Sequence, residues 1–242
     1  MMSDAMMKKI LIVSVFVGTG VLARPVLADG VGINALRIIY PAKSHGVATT
    51  VRNTTKDDDY LTQVTVSSGM DGGDAPFITT PPIFRLAAKS ENRVRIIKTG
   101  GNLPSDRESL FWFTMKAIPV SSDGNTVDGK VNGAVQIGLG NMIKLFYRPD
   151  GLPVPPEKGF CMLTFKQTSA GIDITNNSPY FVSFASFNVG GKERMSQTQP
   201  VKMVAPLSHE EMKVKGVHAP ASIDWAAITD YGGTVNCKGS LL

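Results

Sequence analysis

Three histidines, two cysteines and one run of aspartates are the side chains of this 242-residue chain whose types could do chemistry. Their spacing assembles no site. His45, His209 and His218 lack the H-x-x-x-H interval that sets two imidazoles on one helix face for zinc, and none lies beside a carboxylate cluster. Cys161 and Cys237 are far from C-x-x-C spacing. The run Asp57 to Asp59 falls in a stretch of turn-forming composition and reads as a solvated loop rather than a calcium loop. "GLGNMI", from Gly138 to Ile143, opens like a glycine-rich phosphate loop, but no helical periodicity follows to supply the helix N-terminus. Asn53-Thr54-Thr55 and Asn176-Asn177-Ser178 match the N-glycosylation acceptor pattern, which is short enough to recur by chance. There is no G-x-S-x-G elbow. No catalytic residue, metal or cofactor is assigned, and the chain does not read as an enzyme.

The elements that would have to position any site are strands. "AVQIGLGNMIKLFYRP", residues 134 to 149, alternates Val135, Ile137 and Leu139 with Gln136, Gly138 and Gly140, then runs on to Tyr147 before Pro149 ends it. That is one strand of about 13 residues, roughly 43 Å long, where about 5–6 residues is usual. Shorter alternating runs cover 46–53, 60–67, 92–98, 110–118, 162–167, 171–175 and 180–187, separated by clusters such as "SSGMDGGDAP" and "SSDGNTVDGK". No helical pattern lasts beyond about two turns, so the fold class is all-β, of sandwich type. "RPDGLPVPPEKG", residues 148 to 159, is the strongest punctuation and reads as a hinge between two sandwiches. The halves show no obvious sequence repeat.

Residues 1–28 read as a secretory signal peptide: Lys8 and Lys9, an apolar run of 12 residues from Ile10 to Val21, and small residues before a cut after Ala28. A cut after Ala23 is the alternative. Losing Lys8, Lys9 and Arg24 together with Asp4 lowers the formal charge from +5 to +3, with no basic run interleaved with aromatics, which argues against nucleic-acid binding. No later stretch is long and apolar enough to insert in a membrane. In an oxidising compartment Cys161 and Cys237 are expected to pair within the second sandwich, tying its first strand to its last; two separately buried thiols are the alternative.

Three stretches together resemble the PapD-like periplasmic pilus-assembly chaperones of the usher pathway: "LPSDRESLFWFTMKAIP" (103–119), "IKLFYRP" (143–149) and "ITDYGG" (228–233). "TPPIFRL" (80–86) adds to the likeness, which spans essentially the whole chain after the leader. Thr114 departs from the family signature, which usually has Asn there. The resemblance implies two immunoglobulin-like β-sandwich domains set in an L, at 29–149 and 150–242, with pilus subunits bound along the last strand of the first. It places an anchor for the subunit's carboxylate on Arg37, in a first strand, and Lys144. It also places an inter-domain charge cluster on Glu108, Arg148 and Asp230. The cysteine-free stretch of 15 residues between Pro119 and Val135 is similar to the short-loop branch of the family.

On that reading Val135, Ile137 and Leu139 form a donor face that completes a subunit sandwich lacking a strand, while the backbone extends its sheet. The alternative is an ordinary core strand of the first domain. The expected function is periplasmic stabilisation of pilus subunits and their delivery to an outer-membrane usher. An exported immunoglobulin-like adhesin or structural fimbrial component is the second reading, and a periplasmic hydrolase, lacking a nucleophile–base pair, the third. Strict alternation sets Lys144 on the opposite face from the donor residues.

Overall fold

Side chains that alternate between core and solvent build this molecule strand by strand. The computed structural model describes residues 29–120, 138–195 and 202–242. In chain order its strands are β1 (Val31–Ile33), β2 (Arg37–Pro41), β3 (Val47–Asn53), β4 (Tyr60–Ser67), β5 (Phe77–Thr80), β6 (Ile83–Leu86), β7 (Ser90–Lys98), β8 (Ser109–Pro119) and β9 (Leu139–Arg148). A single-turn helix, α1 (Pro156–Gly159), follows. Then come β10 (Leu163–Gln167), β11 (Gly171–Asn176), β12 (Val182–Val189), β13 (Lys192–Glu193), β14 (Met203–Val204), β15 (Ser208–Lys213), β16 (Ala221–Ile228) and β17 (Thr234–Leu241). In β4, Tyr60, Thr62 and Val64 are buried and Leu61, Gln63 and Thr65 exposed, the period of a strand with one face on a core.

The first immunoglobulin-like sandwich packs a four-stranded sheet, β1-β3-β7-β5, on a five-stranded one, β2-β9-β8-β4-β6. Val51, Val94 and Ile96 from the first sheet meet Phe113, Met115 and Leu145 from the second in a single core. The second is one sheet folded on itself: β12, β16 and β17 form one leaf and β10, β11 and β15 the other, joined at the parallel pair Phe165 and Leu241. Phe165 packs edge-on against Trp225 at 5.1 Å, across the two leaves. Cys161 and Cys237 are disulfide-bonded, with Cα atoms 5.3 Å apart. Cys237 lies on the last strand, but Cys161 sits in the turn after α1, before the domain's first strand rather than on it.

Arg37 likewise is not on the first strand. The chain breaks at residues 34–36 and changes sheets, so β1 pairs antiparallel with β3 while β2 pairs parallel with β9. One edge segment thereby closes both sheets, which only the sandwich geometry requires.

The two sequon asparagines are structural. Asn53 Oδ1 accepts the Thr55 N–H and hydroxyl, and its amide donates to the carbonyls of Asp58, Leu86 and Ala87. Asn176 repeats the arrangement in the second sandwich, with Ser178 in place of Thr55 and the carbonyls of Tyr180, Val204 and Ala205. Their relative exposures of 2% and 1% leave no room for a glycan. This is a repeat between the halves that sequence comparison does not reveal, because only the N-x-[ST] turn is shared. Asn176→Ala strips three buried carbonyls and a turn of their partners. It is expected to cost about 2–3 kcal/mol in urea unfolding, and a loss below about 0.5 kcal/mol would contradict the assignment.

Candidate functional site

The two sandwiches meet through the ends of β8 and β9 on one side and the segment from Pro179 to Ser183, with the end of β16 and its turn, on the other. Arg148 closes β9 and makes the principal tie. Its Nη atoms grip both carboxylate oxygens of Asp230 at 2.6 and 2.7 Å, and its Nε donates to Glu108 at 2.8 Å. The guanidinium also stacks over the Tyr180 ring at 5.1 Å. The second oxygen of Glu108 accepts the Phe181 N–H, and the Glu108 N–H donates to the Pro179 carbonyl, each at 2.9 Å. Glu108 is 4% exposed, and burial pushes its carboxyl above the usual carboxylate range against the pull of Arg148 and the Phe181 N–H. Burial also works against the charge of Arg148, but the hydrogen bonds and charges of Asp230 and Glu108 outweigh it and hold the guanidinium above its ordinary value. The fork geometry makes this a hinge constraint, since a planar guanidinium fixes the direction of each acid it holds. Phe146 and Phe181, centroids 5.5 Å apart, fill the apolar side of the contact.

Arg37 and Lys144 are direct partners across the parallel β2–β9 pair. Two cations thus stand side by side in the cleft, and neither forms a salt bridge among the described residues. The Arg37 Nη1 donates to the Ile228 carbonyl at 3.0 Å and its guanidinium lies over the Phe146 ring, but its Nε is buried with no partner. Burial lowers the Arg37 pKa, offset in part by Asp230 and Glu108. The Lys144 ammonium donates to the Ser183 hydroxyl at 3.4 Å. Burial, then the positive charges of Arg37 and Lys202, bring Lys144 down to about 8. Two crowded cations and an orphaned N–H donor form an arrangement whose strain a bound anion would relieve.

β9 is half open. On one side β8 pairs with it continuously from Leu139 to Tyr147. On the other, β2 covers only Lys144 to Arg148, so among the described residues no strand pairs with the stretch from Leu139 to Ile143 on that edge. Leu139 is 43% exposed and Met142 39% exposed along it. The register of β9 on β8 is unbroken, so the opposite parity of Leu139 and Lys144 persists in the structure. Leu139 shares its face with Ile143, Leu145 and Tyr147, which pack into the first core, while Lys144 and Phe146 face the cleft. Val135 and Ile137 lie outside the described residues, as does most of the loop after Pro119. Thr114 stands between Thr65 and Met142 on the sheet's outer face.

Sequence reasoning missed Phe181, Ser183, Ile228 and Lys202. Each reaches the site only through the domain contact; Ile228 opens the "ITDYGG" stretch but contributes only its backbone carbonyl, and Ser183 and Phe181 read simply as part of an alternating strand. The histidines do not converge, and among the described residues no cluster of His, Cys, Asp or Glu could hold a metal. No helix among them is long and apolar enough to cross a membrane.

Comparison with known proteins covers both halves. Residues 30–153 match the model of the PapD N-terminal domain of pili and flagellar-assembly chaperones, and residues 161–238 that of the PapD C-terminal domain of pili assembly chaperones. The chaperone protein FocC of Escherichia coli is 35% identical over 212 residues, covering 87% of this chain and 89% of its own. The chaperone protein HifB of Haemophilus influenzae is 35% identical over 206 residues, covering 83% of each. Among solved structures, the YadV chaperone aligns with a TM-score of 0.73 at 32% identity, over 87% of this chain and 99% of its own. The Salmonella enterica complex of the SafA pilin with the SafB chaperone aligns with a TM-score of 0.75 at 31% identity, over 89% of this chain and 98% of the matched chain. With both domains and nearly the full length of these relatives matched, the chain belongs to the PapD-like family of pilus-assembly chaperones.

Proposed function

We propose that this chaperone binds pilus subunits in the periplasm along the open edge of β9, with Arg37 and Lys144 holding the subunit's C-terminal carboxylate. The observation that carries the reading is the edge itself, which among the described residues is unpaired from Leu139 to Ile143 and stops at the Arg37–Lys144 pair, neither member of which forms a salt bridge there. A strand added there gains backbone hydrogen bonds along its length and ends against the two cations. Leu139, with Val135 and Ile137 before it, would fill the subunit's incomplete core, each side chain contributing about 1.5–3 kcal/mol before association costs. The SafA–SafB complex supports a subunit partner. A pilus subunit would itself be one incomplete domain, whereas two cored sandwiches stand here, which favours the chaperone over the adhesin reading.

The same reading takes residues 1–28 as a cleaved leader, 29–149 and 150–242 as the two domains, and the loop after Pro119 as the short-loop type. Delivery to an outer-membrane usher is its second half. The exposed apolar residues Leu61, Ile83 and Ile118, on the adjacent strands β4, β6 and β8, offer a docking surface away from the cleft. Co-purification from periplasm with the fimbrial subunits expressed alongside it tests the proposal: the expected result is a stoichiometric complex, and recovery of the chaperone alone would overturn it.

The anchor also implies a pH dependence. Lys144 titrates at about 8 in the free protein, and a bound carboxylate raises that value. Only the protonated lysine binds well, so affinity is full below the free pKa and falls as pH rises through it, by up to about tenfold per pH unit until the bound-state pKa is reached. Titrations of subunit binding between pH 6.5 and 9.5 would show the decline; a flat profile would contradict it.

A further inference from the structure

Ser183 of the second domain contacts Lys144, and the backbone of Lys202 is anchored beside it. Ser183 on β12, 2% exposed, accepts from the Lys144 ammonium. Across the short β12–β14 pair its partner is Met203, and the residue before it, Lys202, is tied to β12 through its carbonyl, which accepts the Phe184 N–H at 3.0 Å. Lys202 is therefore held one residue from the position that faces Ser183. It is exposed, and it forms no salt bridge among the described residues. Its charge is felt at Lys144.

We propose that Lys202 is a third member of the subunit anchor, so that the chain-end carboxylate is held from both domains and not from the first alone. The inference rests on the reading of Arg37 and Lys144 as the carboxylate anchor. The groups around Lys144 are Arg37 from β2, Trp112 from β8, Ser183 from β12 and Lys202 from the segment before β14. Glu108 and Asp230 lie nearer the hinge and are engaged by Arg148. The cleft thus holds an excess of positive charge: Asp230 and Glu108 act on Arg37 only in part, and no acid among the described residues forms a salt bridge with Arg37, Lys144 or Lys202. A carboxylate entering between the cations relieves their mutual repulsion as well as forming its own hydrogen bonds. Lys202, on a flexible four-carbon stem, adds a mobile point charge that needs no fixed geometry. Ser183 acts as a positioning residue that directs the Lys144 ammonium into the cleft. Holding the ligand across two domains makes its affinity depend on the angle that Arg148 sets.

The test uses the full chaperone and a synthetic peptide of alternating valine and serine, prepared with a free C-terminal carboxylate and with a C-terminal amide. Wild type is expected to prefer the carboxylate, and Lys144→Ala to lose that preference. Lys202→Gln should weaken carboxylate binding by roughly two- to fivefold, leave amide binding unchanged and move the alkaline fall in affinity to higher pH, because one like charge is gone. Lys202→Arg should behave as wild type. If Lys202→Gln keeps both the preference and the pH profile while Lys144→Ala loses the preference, Lys202 is not in the anchor and the Arg37–Lys144 reading stands. If wild type shows no preference for the carboxylate, both fall together.

Discussion

Lys144→Ala is expected to yield a folded, exported protein that no longer protects pilus subunits from proteolysis, and Arg37→Ala to do the same. Charge-assisted hydrogen bonds contribute about 1.5–3 kcal/mol each, so losing one cation should weaken subunit binding by roughly 10- to 150-fold. The larger consequence is register. A strand pairing along Leu139 to Ile143 has a period of two, and a slip of one residue turns its apolar side chains to the wrong face. A chain end fixed at the cleft would forbid the slip.

Folding and binding are expected to separate at this position. The folded-state pKa of Lys144 lies near 8, below the ordinary lysine value, because burial and then Arg37 and Lys202 disfavour its charge. Between that pKa and the unfolded value the unfolded chain binds more protons, so the contribution of Lys144 to stability rises with pH across that window; at neutral pH the charged lysine costs stability. Removing it should leave the melting temperature unchanged or slightly raised while subunit protection collapses. Near-normal pilus assembly in both single variants would rule the anchor out. A collapse accompanied by unfolding would instead make Lys144 a structural residue.

Arg148→Ala should do the reverse, with a defect in the chaperone itself. The change strands Glu108, 4% exposed, together with Asp230, leaving two carboxylates at the domain contact without the salt bridges that Arg148 gives them. Breaking a buried pair from one side typically costs about 3–5 kcal/mol. Small-angle scattering should show a broader distribution of inter-domain distances, and thermal unfolding should begin earlier. Arg148→Lys should rescue poorly, since a point charge cannot grip Asp230 with two nitrogens and reach Glu108 with a third. Acidification should restore part of the loss. Glu108 is already held above the usual carboxylate range by burial, so as pH falls toward its folded-state pKa the folded protein takes up the proton first and gains stability. Unchanged scattering and an unchanged melting temperature would show that the cluster does not set the hinge.

Much of this architecture is legible one residue at a time. The alternation in 60–67 and 110–118 marks β4 and β8 to within a residue or two, because a strand with one buried face must alternate whatever its partners are. Arg37, Glu108, Lys144, Arg148 and Asp230 could be singled out through family-like motifs, and the parity that sets Lys144 against Leu139 follows from strand period alone. What sequence could not supply was pairing. N-x-[ST] at Asn53 and Asn176 reads identically whether it lies on a surface or pins three buried carbonyls, because the difference resides in Leu86, Ala87, Val204 and Ala205, some 28–34 residues away. The sheet change between β1 and β2 needed the sandwich to be closed. The open edge of β9 needed the extent of β2 pairing, and the contributions of Phe181, Ser183, Ile228 and Lys202 needed the second domain docked. Local pattern determines which face of a strand is buried, because that preference is built into each side chain. Which strand, and which charge, lies on the other side is decided by contacts between distant segments, and those exist only once the chain has folded.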